Sequence, residues 1–118
     1  MRTIASRKKA KKRLNDLVLR KTIMRLHQTR YWTNKWTTVN AEGKRCESDD
    51  PKVDRRSSVG WLQYYAHQHA PNKGEATWSV IFICDRFKQL RGLGLEDISD
   101  VAGRDAAIRG LHAVASTL

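Results

Sequence analysis

From Leu14 to about Thr29 the chain contains no Gly or Pro, and Leu14, Leu17, Val18, Leu19, Ile23, Met24 and Leu26 recur at helical intervals. The pattern predicts one helix, with the residues before Leu14 either continuing it or standing outside it. At about 100° per residue its apolar side chains form two groups, Leu19, Ile23 and Leu26 on one side and Leu14, Leu17, Val18 and Met24 on the other. Arg13, Arg20 and His27 line up between them beside Asp16, a narrow cationic ridge or a plain solvated face. Past this helix the texture changes. Tyr31, Trp32, Trp36, Thr37, Thr38 and Val39 are aromatic or β-branched, and Asn40 to Gly43 carry turn chemistry, which predicts a short, irregular hairpin. Trp32 and Trp36 fall on one face in either period, where they pack on the first helix or stack on bases.

Residues 47–56 are acidic, polar and Pro-containing, and read as loop. Ser57 or Ser58 can cap a helix over residues 59–67, with Val59, Leu62 and Ala66 on one face. Pro71, Asn72 and Gly74 break it. A further helix is predicted over residues 75–90, striped by Val80, Ile83, Cys84, Phe87 and Leu90. Trp78, Ile81 and Phe82 fill much of the remaining circumference, which places that helix at the centre of the domain; residues 79–84 also read as a buried strand. Gly92 and Gly94 end the element, residues 97–103 read as a turn, and Asp105 can cap a last helix in which Ile108, Leu111, Ala115 and Leu118 align. The expected fold is mainly α: a small four-helix domain over residues 14–118, a short extended or hairpin insertion after the first helix, and a basic N-terminal tail over residues 1–13.

With 118 residues, 40% of them hydrophobic and 30% charged, the chain suits one globular domain and few large enzyme scaffolds. The net charge of +11 is unevenly placed. Residues 1–36 hold twelve Lys or Arg against Asp16 alone, whereas residues 37–118 hold eleven basic and eleven acidic side chains. All the excess positive charge therefore sits in one leading segment, the electrostatic footprint of an anionic partner.

Cys46 and Cys84 form no C-x-x-C pair, so reduced, buried thiols are expected rather than a disulfide framework. The longest apolar run is Val80 to Cys84, far short of the roughly 20 residues that span a bilayer. Asn15, Asp16, Arg20 and Lys21 interrupt any secretory apolar region. A cytoplasmic, non-secreted protein is expected; an acid-free basic start also suits an organellar address.

The Trp32 region, Ser58-Val59-Gly60-Trp61-Leu62 and Ile98-Ser99-Asp100-Val101-Ala102-Gly103-Arg104-Asp105 follow one another in an order that covers most of the chain after residue 13. This order resembles a family of small domains of unknown function in actinobacterial and phage proteins. Members have an opening helix ending near a tryptophan, a helix starting at a C-A-x-G-A-like segment, and a W-N-D-x-x-G-R-T-like turn before the last helix. Ser58 stands where that pattern favours Cys, Ser99 where it favours Asn and Asp105 where it favours Thr. The resemblance implies a small helical fold and a phage or mobile-element origin. It implies no activity, and the basic tail is not part of it.

Catalytic and metal signatures are weak. His67 and His69 make an H-x-H pair, but Cys46, Cys84 and His112 are scattered, and zinc sites are usually built from two close pairs. A surface H-x-H in a Pro/Asn/Gly loop is expected, with no metal. Glu96, Asp97 and Asp100 suggest an acid/base or Mg²⁺ site, yet carboxylates are also what a helix start favours. Phosphate loops, nucleophile elbows and dinucleotide fingerprints are missing, so no cofactor and no enzyme activity are expected.

Two functions fit. The first is a non-enzymatic nucleic-acid-associated protein that grips phosphates with little sequence specificity through Arg2, Arg7, Lys8, Lys9, Lys11, Lys12 and Arg13, extended by Arg20, Lys21, Arg25 and Arg30. The second is a phage accessory factor, a host-enzyme inhibitor or a component of a virion or ribonucleoprotein particle, that binds an acidic protein surface with Trp36, Trp61, Tyr64 or Tyr65 as anchors if they are exposed. DNA, RNA and acidic protein remain open as partners.

Overall fold

The computed structural model describes residues 3–34 and 37–118, and its first helix begins well before the apolar pattern does. Helix α1 runs through Ile4–Leu26 without a break, so residues 4–13 continue it. Thr3 supplies the start: its backbone is extended and its hydroxyl oxygen accepts the Ser6 N–H at 3.1 Å. Good helix formers, Ala, Lys and Arg, fill the next turns. Electrostatics work against them, because the first turn has no acid to meet the positive helix terminus. Arg7 with Lys11, Lys8 with Lys12 and Lys9 with Arg13 are like-charged at i, i+4, each pair costing a helix about 0.2–0.5 kcal/mol.

The two apolar groups expected on α1 resolve into a single buried stripe: Asn15, Val18, Leu19, Thr22, Ile23 and Leu26. Met24 is 64% exposed, and Leu14 and Leu17 are half-buried. Two polar residues complete the stripe because their hydrogen bonds are satisfied inside. The Ser79 hydroxyl donates to Asn15 Oδ1 at 2.6 Å, and the Thr22 hydroxyl donates to the Val18 carbonyl at 2.7 Å.

After α1 a 3₁₀ turn, Thr29–Tyr31, leads to β1, Thr38–Val39, which pairs antiparallel with β2, Arg55–Arg56. The insertion is therefore a small two-stranded sheet, but its second strand comes from the segment read as loop. The expected turn forms inside it: Asn40 Oδ1 accepts the Glu42 and Lys44 N–H groups at 3.1 and 3.0 Å.

Helix α2, Ser58–His69, starts where Ser57 accepts the Gly60 N–H at 3.0 Å. Helix α3, Lys73–Arg91, is capped by Asn72 and stops at Gly92, whose φ of 82° suits glycine. Its buried face is Ala76, Ser79, Ile83 and Phe87, while Ile81 and Leu90 are exposed. α3 therefore lies at the edge of the bundle with one face inward, not at its centre, and residues 79–84 are helical.

Helix α4, Leu95–Ala115, is broken at Gly103, where φ is 86°. Residues 97–102, expected as a turn, are helical; Glu96 and Asp97 occupy the first turn, where their charge suits the helix terminus. Asp105, expected as a cap, instead has an exposed side chain beside Arg104. The break aims Arg104 back at the first helix, where its guanidinium donates to the Leu26 carbonyl at 2.5 Å.

One core joins Val18, Leu19, Ile23 and Leu26 to Leu62, Ala66, Ile83, Phe87, Leu111 and Val114. Each buried Leu, Ile or Phe contributes about 1.5–3 kcal/mol. Helices α3 and α4 approach closely because Gly110 faces Phe87: a Cβ there would lie 2.2 Å from Phe87 Cε2. Among the described residues no helix is long and apolar enough to cross a membrane. Substituting Gly110→Ala should lower stability by about 1–3 kcal/mol through overpacking, read as a reduced midpoint in chemical denaturation.

Candidate nucleic-acid interface

The fully buried stripe of α1 begins at Asn15, with Leu14 packed against the edge of the core just before it, and helix geometry makes the whole helix about 35 Å long. Its first three turns therefore extend past the last core residue it contributes. Arg7, Lys8, Lys9, Lys11, Lys12 and Arg13 sit on this overhang, all exposed. Among the described residues no ion pair holds Lys8, Lys9, Lys11, Lys12 or Arg13. Lys9, Arg13, Arg20 and His27 share the outward, exposed side of α1, and Asp16 neutralises part of that side by pairing with Arg20 at 3.0 Å.

Two of the predicted phosphate ligands have structural duties. Arg25 lies over the rings of Tyr31 and Trp61, 4.8 and 4.9 Å from their centroids, and its Nε–H donates to the Tyr65 hydroxyl at 3.0 Å. Arg30 makes a bidentate pair with Asp54, both bonds 2.9 Å, which with Arg55 nearby holds the Asp54 carboxyl below its ordinary range. Lys21 is exposed and lines a groove of about 330 Å³ between α1 and α2, with Tyr64 on its far wall. Arg2 lies outside the described residues.

The proposed protein anchors fare differently. Trp61 and Tyr65 are each only 7% exposed: their rings stack at 5.9 Å, and the Trp61 indole N–H donates to the Tyr31 carbonyl at 2.9 Å. They are core residues, and the condition on their exposure fails. Tyr64 is 39% exposed, with the Arg56 guanidinium 4.7 Å over its ring. Trp36 lies outside the described residues. Trp32 is half-buried and donates its indole N–H to the Ser58 hydroxyl at 3.2 Å, the packing role rather than the stacking one.

Sequence reading missed the aromatic pair beside the overhang. At about 100° per residue, Lys8, Lys11 and Lys12 occupy the same angular stripe as Asn15, Val18 and Leu19, so the inner side of α1 turns from core to lysine where the bundle ends. Opposite them stand Trp78 and Phe82 of α3, stacked at 5.3 Å, with the Lys11 ammonium 4.6 Å over the Trp78 ring. Lys8, Lys12, Trp78 and Phe82 line a groove of about 380 Å³. The signal available was that the i, i+3, i+4 spacing of the α1 stripe continues backwards through lysines.

The remaining candidates are explained by structure. His67 and His69 lie on the last turn of α2 rather than in a loop, and residues two apart on a helix point away from each other. Among the described residues no group of three or more His, Cys, Asp or Glu is placed to hold a metal. Glu96 accepts the Val59 N–H at 3.0 Å, capping the start of α2, and Ser58 and Ser99 join their hydroxyls at 2.8 Å beneath it. Both cysteines are free and half-buried. Burial, with Glu96 and Asp85 adding negative potential, pushes the Cys84 thiol up to about 11.

No family model, no curated protein and no solved structure matches the chain. The resemblance to the actinobacterial and phage domains thus stands on its quoted residues alone.

Arg25→Gln should destabilise the fold by about 1–2 kcal/mol, seen in thermal melts. Cys84, with about a thousandth of its population as thiolate at pH 8, should alkylate far more slowly in the native than in the unfolded protein, the rate climbing as pH approaches 11.

Proposed function

We propose that the protein is a non-enzymatic nucleic-acid-associated factor that holds the phosphate backbone on the overhanging half of α1, with little preference for base sequence. One observation carries this reading: Lys8, Lys9, Lys11, Lys12 and Arg13 crowd the first turns of α1 before its buried stripe begins, and among the described residues no acid pairs with any of the five. Lys8, Lys9, Lys11, Lys12 and Arg13 are the primary contacts, with Arg7 beside them and Arg20 and Lys21 extending the track along the anchored half. A helix that carries like charges at i, i+4 and no acid in its first turn is stabilised by whatever polyanion settles against it, so binding and helix stability are linked. Charge placed all around a rod suits a continuous ribbon of phosphates.

An acidic protein partner is the second reading, and Tyr64 beside Lys21 in the α1/α2 groove is the observation that favours it. The burial of Trp61 and Tyr65 weighs against it, because two of its four anchors are committed to the core.

Fluorescence anisotropy with labelled DNA and RNA between 50 and 200 mM salt tests the first reading; six to ten phosphate contacts lower affinity about 10³- to 10⁵-fold over that range. Replacing Lys9, Lys12 and Arg13 together by Gln should reduce the log–log salt slope on duplex DNA by about 2.7, leaving the melting temperature unchanged or raised. Binding to both nucleic acids that is absent or indifferent to salt overturns the proposal. A stoichiometric protein retained from nuclease-treated lysate turns the choice towards docking.

A further inference from the structure

We infer that the groove between the α1 overhang and α3 is a base-stacking site for single-stranded nucleic acid, with Trp78 as its platform. This rests on the phosphate-binding reading and deepens it. Trp78 is half-exposed, and although tryptophan offers more apolar surface than any other side chain, here it is not packed into the hydrophobic core. It borders two grooves instead, one of about 380 Å³ with Lys8, Lys12 and Phe82, and one of about 360 Å³ with Arg13, Leu14 and Pro71. The Trp78 and Phe82 rings lie 27° from parallel, and cations close both ends of the stack: Lys11 over Trp78 and, at 5.3 Å, Arg86 over Phe82.

Those two cations differ in how firmly they are held. Arg86 is tied to the Thr117 hydroxyl at 3.2 Å, whereas the Lys11 ammonium rides on a flexible four-carbon stem. A base sliding onto Trp78 displaces that ammonium toward the phosphate the base brings with it, while Lys8 and Lys12 on the groove wall meet the neighbouring phosphates. Nucleic acid repeats an anion and a planar ring at every residue, which matches lysines interleaved with aromatics; an acidic peptide satisfies the lysines and leaves the rings uncovered. In a duplex both faces of each base are already stacked, so only an unpaired strand offers a face to Trp78.

The test measures anisotropy of a short labelled oligothymidylate and of a duplex with the same number of phosphates, using the full chain and Trp78→Leu, with polyglutamate of matched charge as competitor. The single strand should bind more tightly than the duplex, and Trp78→Leu should weaken single-strand binding about 5- to 150-fold with duplex binding unchanged. Trp78→Tyr should restore most of the loss. Equal effects of Trp78→Leu on both probes, or no effect, overturn the stacking site while the phosphate reading stands; failure of the unsubstituted protein to bind either probe removes both. Polyglutamate competing as well as oligothymidylate also overturns it. Should Trp78→Leu not fold, photocrosslinking of a bromodeoxyuridine-substituted strand to the unsubstituted protein decides: an adduct on Trp78 or Phe82 supports the site, and adducts confined to other residues refute it.

Discussion

Asn15, Val18, Leu19, Thr22, Ile23 and Leu26 hold α1 against the other helices, and the rest of the architecture depends on where that stripe stops being buried. Only the second half of α1 is anchored, so the first half is a rod whose position is set by a core it does not enter. Its charges oppose one another along the helix, and it persists because Thr3 caps it and because anchored turns propagate the helix without a new nucleation step. Lys11 on Trp78 is its local contact with α3.

That arrangement separates two kinds of basic residue which composition treats alike. Arg25 and Arg30 sit where α1 meets the insertion, and their planar guanidiniums brace it: one lies over Tyr31 and Trp61, the other grips Asp54 with two hydrogen bonds. Lysines dominate the overhang, their ammonium groups carried out on flexible stems. Counting charges could only find the excess; the type of cation and its place relative to the core decide which of them face outward.

Periodicity and capping made much of the fold legible. Ser57 and Gly92 bound α2 and α3 as their chemistry implies, and Asn40 to Gly43 form the turn their residue types favour. Errors came where polar residues do structural work. Asn15 and Thr22 are buried because each has an internal partner, and skipping them split the α1 stripe and misplaced Met24. Residues 97–102 look like a turn, yet Ser99 bonds back to the Leu95 carbonyl at 2.8 Å and Glu96 serves the neighbouring helix. Trp78 and Phe82 were visible as residues but not as a stacked pair facing the lysines of α1, since which side of α3 meets α1 is a tertiary fact that no spacing along one helix encodes.

Arg104 closes the last turn of α1 from far along the chain. During synthesis the Leu26 carbonyl emerges 78 residues ahead of the arginine that meets it in the folded protein. Closure waits for α4 to emerge and for its backbone to swing at Gly103. The C-terminal end of α1 is thus secured by a residue 78 positions further along the chain, and its native bearing depends on the last helix being in place.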